Sequence, residues 1–330
     1  MSGPDLSGSI VLVTGGTGSF GHAFVRHVLD HHQPAAVRIF SRDELKQWEM
    51  QRRFGDDPRL RFLIGDVRDG DRLRRAFDGV DVVVHAAALK HVPVCEYNPF
   101  EAVQTNVVGA ENVVSAAIDA AVPRTIALST DKAVNPVNLY GATKLCAEKI
   151  VAQGNAYSGG SVARFASVRY GNVVGSRGSV VPLFLEQAKS GSVTITDESM
   201  TRFCITLDQS VRFVLDCLGR MEGGETFVPK IPSARILDIA DAVAPGAERR
   251  LIGIRPGEKL HEVLLTADEA RHTAEFDTYY AIYPSFPSWR STPYPAGKEV
   301  PAGTTYSSDA NAQWLDAEGI RALIETDASG

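Results

Sequence analysis

Short β-branched apolar runs alternate, through the first half of the chain, with longer stretches in which apolar residues recur every third or fourth position. Ile10-Val-Leu-Val-Thr14 is the first such run; it is closed by glycines and predicts a buried strand. Phe20, Ala23, Phe24 and Val28 follow at helical spacing. Val37–Phe40, Leu60–Ile64 and Val80–Val84 predict further strands, Pro99–Ala120 a long helix and Arg124–Leu128 a fifth strand. Tyr140–Tyr157 predicts a second long helix and Ala163–Val168 a sixth strand. Strands that are apolar on both faces and separated by helices predict an α/β architecture with a parallel sheet covered on both sides.

Beyond Gly171 the pattern loosens, with more proline and glycine and shorter segments. The expected division is a sheet domain over 1–171, joined by about 204–228, and a smaller substrate-binding lobe over 172–203 and 229–330. Leu207–Leu218 predicts a helix returning to the sheet. The aromatic and proline-rich stretch Tyr279–Lys298 predicts a packed extended arm. No internal repeat or long low-complexity tract interrupts the chain.

Composition narrows the class. The 330 residues are 44% hydrophobic and 22% charged, as in an ordinary soluble protein. A net charge of −6 argues against a broad nucleic-acid-binding surface, so an anionic ligand needs locally placed cations. Four cysteines without C-x-x-C spacing predict reduced cytoplasmic thiols and no metal site. Met1–Gly8 lacks a signal-peptide pattern and no apolar run is long enough to span a bilayer, so no membrane association is expected.

Gly15-Gly-Thr17-Gly18-Ser19-Phe20-Gly21 lies between the first strand and the first helix. In that context Gly15 permits a tight turn and Gly18 lets the backbone approach a pyrophosphate at a helix N-terminus. Gly21 allows close helix–sheet packing. The fold class is therefore a Rossmann-type doubly wound parallel sheet with a smaller C-terminal lobe. At the end of the second strand Ser41-Arg42-Asp43, with Lys46 a turn later, favours NADP over NAD, because Arg42 can grip a 2′-phosphate through two parallel bonds. Asp43 remains able to reach a ribose hydroxyl. Asp66 and Val67 are expected beside the adenine, and Ala86-Ala87-Ala88 forms a thin wall or simply small core packing.

Tyr140 and Lys144 stand one helical turn apart on one face. A nearby ammonium lowers a phenol's pKa, so Tyr140 can take a proton from a hydroxyl as hydride leaves the carbon. Thr130 can donate to the same oxygen. Asp131 and Lys132 add a second acid and base that plain alcohol oxidation does not need. Lys132, if neutral, can remove a proton beside a ketone, and Asp131, if protonated, can assist a departing hydroxyl.

These motifs carry a resemblance. Together with Ala88-Leu-Lys90-His-Val-Pro93, Ser129-Thr-Asp-Lys-Ala133, Asn138–Lys144, Arg169-Tyr-Gly-Asn172 and Arg255-Pro-Gly-Glu-Lys-Leu-His-Glu262, they make the chain similar to the extended short-chain dehydrogenase/reductases. Within that group it resembles the inverting UDP-N-acetylglucosamine 4,6-dehydratases, which open the pseudaminic acid pathway. The tail, with Tyr306-Ser-Ser-Asp309 and Trp314-Leu315, is similar to that of the short members, which lack membrane spans.

The resemblance implies oxidation at C4 through Tyr140, removal of H5 by Lys132, loss of the 6-hydroxyl with help from Asp131, and return of hydride to C6. The product is then a 4-keto sugar inverted at C5, and the cofactor stays bound. It implies that Lys90 lies near cofactor and sugar, and that Asn172 binds substrate. Arg177, Arg202 and Arg255 meet the diphosphate, Glu258 a ribose hydroxyl and Thr194 the base, and Met200 is a further substrate-binding residue. A homodimer or larger assembly through the two long helices is also implied. The rivals are a retaining dehydratase or nucleotide-sugar epimerase, which for simple epimerisation needs no Asp131–Lys132 pair, and a catalytically silent NADP-binding regulator.

Overall fold

A computed structural model describes residues 3–159, 161–176, 179–287, 289–290 and 293–328. Its first six parallel strands are β1 (Ile10–Thr14), β2 (Ala36–Ser41), β3 (Leu60–Ile64), β4 (Val82–His85), β5 (Arg124–Thr130) and β6 (Arg164–Tyr170). A seventh, β7 (Thr226–Pro229), pairs parallel with β6. The order runs β7-β6-β5-β4-β1-β2-β3, so the strand order reverses beside β1, between β1 and β4. In such sheets the crevice at the carboxyl ends beside that reversal receives ligands.

Alternation along each strand builds two cores. Val11 and Val13 join Phe24, Val28, Ile39, Val84 and Val214 on one face, under the helices Ser19–His31 and Leu207–Arg220. Leu12, between them in sequence, packs on the other face with Phe40, Val83, Val113 and Val151. That face carries the helices Gly70–Phe77, Gly109–Asp119 and Leu139–Tyr157. All six strands and both long helices expected from the sequence are present within a few residues.

Two features differ from expectation. The helix foreseen over 99–120 contains a π-turn at Gln104–Val108. The wider turn sets Asn106 against the loop after β4, where its amide donates to Leu89 O at 2.9 Å and its oxygen accepts from Leu89 N at 2.8 Å. The arm foreseen from Tyr279 begins as sheet instead. Tyr279–Ile282 pairs antiparallel with β7, Thr273–Glu275 with Tyr279–Ile282, and Lys298–Glu299 with Thr273–Glu275. The ten-stranded sheet thus takes three strands from the region assigned by sequence to the smaller lobe.

The remaining segments form a separate core of Val181, Phe184, Val193, Ile195, Met200, Ile236, Ile239 and Ile320. Short strands at Asn172–Val173, Thr201–Ile205, Ser233–Arg235 and Trp314–Leu315 make its sheet. No described helix is long and apolar enough to cross a membrane.

Candidate active site

The glycine turn is shaped for close backbone approach. Gly15 has φ +65°, and a Cβ there would lie 2.8 Å from the Cα and N of Ala87. A Cβ at Gly21 would lie 2.2 Å from Gly16 O, which is why helix Ser19–His31 can rest directly on the turn. Gly18 caps that helix and directs its first amides into the cleft. The cleft has a volume of about 630 Å³. Its near end is lined by Gly15, Thr17, Gly18, Ser19, Phe20 and Gly21, and one side by Ser41, Arg42, Asp43, Lys46, Asp66 and Val67. Ala86, Ala87 and Lys90 follow, and Thr130, Lys132, Tyr140, Lys144 and Asn172 line the far end. Residues from seven separate segments therefore converge on one elongated pocket.

The acid at the end of β2 is already engaged. Asp43 caps helix Glu44–Phe54, accepting from Lys46 N at 3.0 Å, and its other oxygen lies 3.1 Å from Lys46 Nζ. The bonds from Lys46 hold its carboxyl below the usual range. Arg42 is half-exposed with its guanidinium 3.5 Å from Asp66.

The far end is assembled where β5 stops. Asp131–Ala133 forms a 3₁₀ turn. Thr130 Oγ1 donates to Asp131 Oδ1 at 2.8 Å, and Lys132 Nζ reaches the same oxygen at 3.1 Å. Asp131 is fully buried and its Oδ2 has no hydrogen-bond partner. Helix Leu139–Tyr157 starts under the Asn138 cap, which accepts from Gly141 N at 2.8 Å. A Cβ at Gly141 would lie 2.0 Å from Lys132 O, so the glycine after Tyr140 is what allows the helix to sit against the catalytic turn.

Burial reverses one expected effect. Burial pushes the Tyr140 phenol up to about 12, against the opposing charge of Lys132 and the bond from Thr130. The cation acting on the phenol is Lys132, not Lys144 as expected. Burial also pushes Lys144 down to about 8, with the Glu148 carboxylate opposing. Lys132 departs from the neutral amine that a base requires. Burial disfavours its charge, yet Asp131 and Glu262 outweigh burial and hold its pKa well above the usual lysine value. The resting pocket therefore contains a protonated phenol and an ammonium.

The second-lobe residues named from sequence are more dispersed. Asn172 lines the cleft, with Oδ1 buried and without a partner. Arg202 is turned inward; its Nη1 donates to Thr201 O at 2.7 Å and Leu260 O at 3.0 Å, and its Nε stands 4.0 Å from Glu262. Met200 is buried beside it, 3.3 Å from Arg202 Nη2. Thr194 is bonded to Gln187 at 2.9 Å. Arg255 is half-exposed, 3.8 Å from Glu258, whose Oε2 is buried without a partner. The loop carrying them docks on the catalytic helix, because Asn138 Nδ2 donates to Gly257 O at 2.8 Å. None of these five residues lines the large cleft. Arg177 lies outside the described residues.

Sequence reasoning left Lys259 and Glu262 without roles. Lys259 Nζ donates to Asp131 O and Val134 O, and Glu262 Oε1 lies 3.5 Å from Lys132 Nζ. Their spacing of three within the Arg255–Glu262 run was the available signal.

Comparison with known proteins agrees with this geometry. Residues 11–284 match the family described as polysaccharide biosynthesis protein. The chain is 49% identical over 327 residues to the UDP-N-acetylglucosamine 4,6-dehydratase (inverting) of Campylobacter jejuni, covering 96% of this chain and 98% of the relative. It is 46% identical over 281 residues to a UDP-glucose 4-epimerase of Rickettsia conorii, covering 82% of each. The structure of Pen from Bacillus thuringiensis superposes with a TM-score of 0.89 at 39% identity, covering 98% of this chain and 100% of that one.

Proposed function

The chain belongs to the polysaccharide biosynthesis protein family, within the extended short-chain dehydrogenase/reductases, and on that premise we propose that it dehydrates UDP-N-acetylglucosamine across C4–C6 with inversion at C5. The observation that carries this reading is the placement of Asp131 and Lys132 beside Tyr140 at one end of a dinucleotide-shaped cleft. The glycine turn fits a nicotinamide dinucleotide, since the space it holds open is space that any Cβ would fill. The chemistry that group supplies is a hydride store, filled from C4 and emptied at C6.

The chain's own residues manage the protons. Tyr140, having shed its proton to solvent, accepts the one on the sugar 4-hydroxyl, and Thr130 donates to the same oxygen once its single hydroxyl proton turns from Asp131 to the substrate. The ketone so formed acidifies H5; the Lys132 ammonium passes its proton to Asp131, 3.1 Å away, and the amine so freed takes H5. Asp131 Oδ1 faces Lys132, so the unpartnered Oδ2 is the position from which a proton passes to the departing 6-hydroxyl. The C6–O bond breaks and water leaves. C5 is then reprotonated from the opposite face, giving UDP-2-acetamido-2,6-dideoxy-β-L-arabino-hex-4-ulose.

The resemblance to the Rickettsia relative supports epimerisation as the second reading. An enzyme that only inverts C4 has no use for an acid–base pair beside the ring. Incubation with UDP-N-acetylglucosamine in heavy water separates the readings. We expect loss of water, one solvent deuterium at an inverted C5, and no net release of reduced cofactor. An unchanged C5 indicates a retaining dehydratase, and C4 inversion without deuterium at C5 indicates an epimerase. Absence of turnover on every nucleotide sugar indicates a regulator. The same sample in the ultracentrifuge reads the assembly, which we expect to be a homodimer or larger; Tyr97 and Phe100, at and beside the start of the first long helix, are 88% and 68% exposed.

We assign NADP as the cofactor. Arg42, Asp43 and Lys46 all line this end of the cleft, and the Arg42 fork is the group that matches a 2′-phosphate. A charge-assisted bidentate contact contributes about 1.5–3 kcal/mol. Arg42→Ala is therefore expected to weaken NADP roughly 10- to 100-fold while changing NAD little, as measured by calorimetry. Equal losses for both would exclude a 2′-phosphate contact. Four unpaired thiols suit a reducing cytoplasm, and the likeness to the inverting dehydratases supports a place at the head of pseudaminic acid synthesis.

A further inference from the structure

Glu262 is the one carboxylate that reaches the catalytic turn from the second lobe among the described residues. It is buried, and its Oε1 lies 3.5 Å from Lys132 Nζ and 4.0 Å from Arg202 Nε. Its Oε2 lies 3.8 Å from Lys259 Nζ and has no hydrogen-bond partner. The backbone around it is fixed from the far end of the chain. Glu262 N donates to Ser308 Oγ at 2.9 Å, and Ser308 N donates to Glu262 O at 2.8 Å. Ser308 Oγ is bonded in turn to Thr201 Oγ1 at 2.6 Å, and Thr201 to His261 at 2.9 Å. A buried carboxylate held this firmly beside an amine on another lobe constrains where that amine can stand.

We propose that Glu262 is a positioning residue for dehydration: it draws the Lys132 amine to one side of the catalytic turn, so that proton removal at C5 depends on Glu262 more steeply than hydride removal at C4, which feels it only through the charge of Lys132 on Tyr140. The inference rests on the dehydratase reading. Two geometric facts carry it. Asp131 and Glu262 contact Lys132 from different lobes, at 3.1 and 3.5 Å, so the ammonium is bracketed rather than tethered at one point. Tyr140, which serves the C4 step, is bonded to Thr130 and carried by its own helix, and no contact joins it to Glu262 directly among the described residues. The charged and titratable groups around the pair are Asp131 and Tyr140 from the sheet domain and Arg202, Lys259 and His261 from the lobe. Glu262 offsets the three lysine and arginine charges that face it, and its loss leaves them opposed only by Asp131.

The test uses Glu262→Gln and Glu262→Asp in the full chain with its bound cofactor. In single turnovers with UDP-N-acetylglucosamine, Glu262→Gln is expected to slow the formation of reduced nicotinamide far less than it slows dehydration, because Lys132 touches the C4 step only through its charge on Tyr140. Water loss and deuterium uptake at C5 should fall roughly 10- to 100-fold, the scale of a small misplacement of a reacting group. Competitive acylation of Lys132 with acetic anhydride, read by mass spectrometry across pH, reports the same amine without substrate. Glu262→Gln is expected to shift its titration to lower pH, because an opposite charge has gone. Glu262→Asp, which keeps the charge, is expected to restore the titration but only part of the dehydration rate. Equal losses in both chemical steps would overturn the proposal, as would an unmoved Lys132 titration or identical behaviour of the two variants. If the unmodified protein oxidises no nucleotide sugar, the dehydratase reading fails, and the labelling still decides whether Glu262 governs Lys132.

Discussion

Alanine at position 132 is expected to slow dehydration by roughly 10²–10⁴-fold, the usual contribution of a placed general base, while oxidation at C4 proceeds. The two steps separate because Lys132 is itself the base at C5 but reaches the C4 step only through its charge on Tyr140. Tyr140 stands at the start of its helix beside Thr130, whereas Lys132 projects from the preceding turn between Asp131 and Glu262. Reduced nicotinamide should therefore accumulate in the variant instead of decaying, and the C5 proton should not exchange with solvent. Lys132→Ala also leaves buried Asp131 with one hydrogen-bond donor fewer, so some loss of stability accompanies the kinetic effect. Lys132→Met keeps the side-chain volume and controls for packing. Dehydration at the original rate in both variants would place the base elsewhere.

Arg169→Met is expected to destabilise the fold by about 3–5 kcal/mol, the cost of leaving a buried charge without its partner. All five N–H donors of this fully buried arginine are used. Nε and Nη2 donate to Glu148 at 3.0 and 2.6 Å, Nη2 and Nη1 to Glu269 at 2.9 and 3.1 Å, and Nη1 to Leu264 O at 2.9 Å. Methionine would leave Glu148 and Glu269 facing one another with no cation between them. Against a usual total of about 5–15 kcal/mol, that loss brings the chain near its limit of stability. Urea unfolding reads the effect, and an unchanged midpoint would contradict it. Adding Glu148→Gln to Arg169→Met should cost less than the sum of the two single changes, because the groups act as one unit. The same network borders the site. Ser129 donates to Glu148 at 2.5 Å, and Lys144 lies one turn before Glu148 on the same helix.

The parts legible in the sequence were those specified by neighbours. Ile10–Thr14 declares a buried strand by its own composition, and Gly15–Gly21 declares a phosphate-accepting turn because the steric demand falls on those residues themselves. Tyr140 and Lys144 could be paired because helical geometry fixes their separation. What escaped depends on distant partners. Thr273–Glu275 and Tyr279–Ile282 become strands because β7 offers an edge, not because three or four residues form a strand unaided. Glu262 acquires its meaning from a lysine 130 positions earlier in the chain. The charge states of Tyr140, Lys132 and Lys144 follow from burial, which spacing does not reveal.

Tyr306–Ser307 pairs with Val263–Leu265, and Ser308 closes the bonds around Glu262. During synthesis, the glycine turn and the pair Tyr140–Lys144 leave the ribosome long before this closing stretch does. The nucleotide cradle is thus specified by neighbours in sequence, whereas the acid–base pair is braced by a stretch that the chain supplies far downstream.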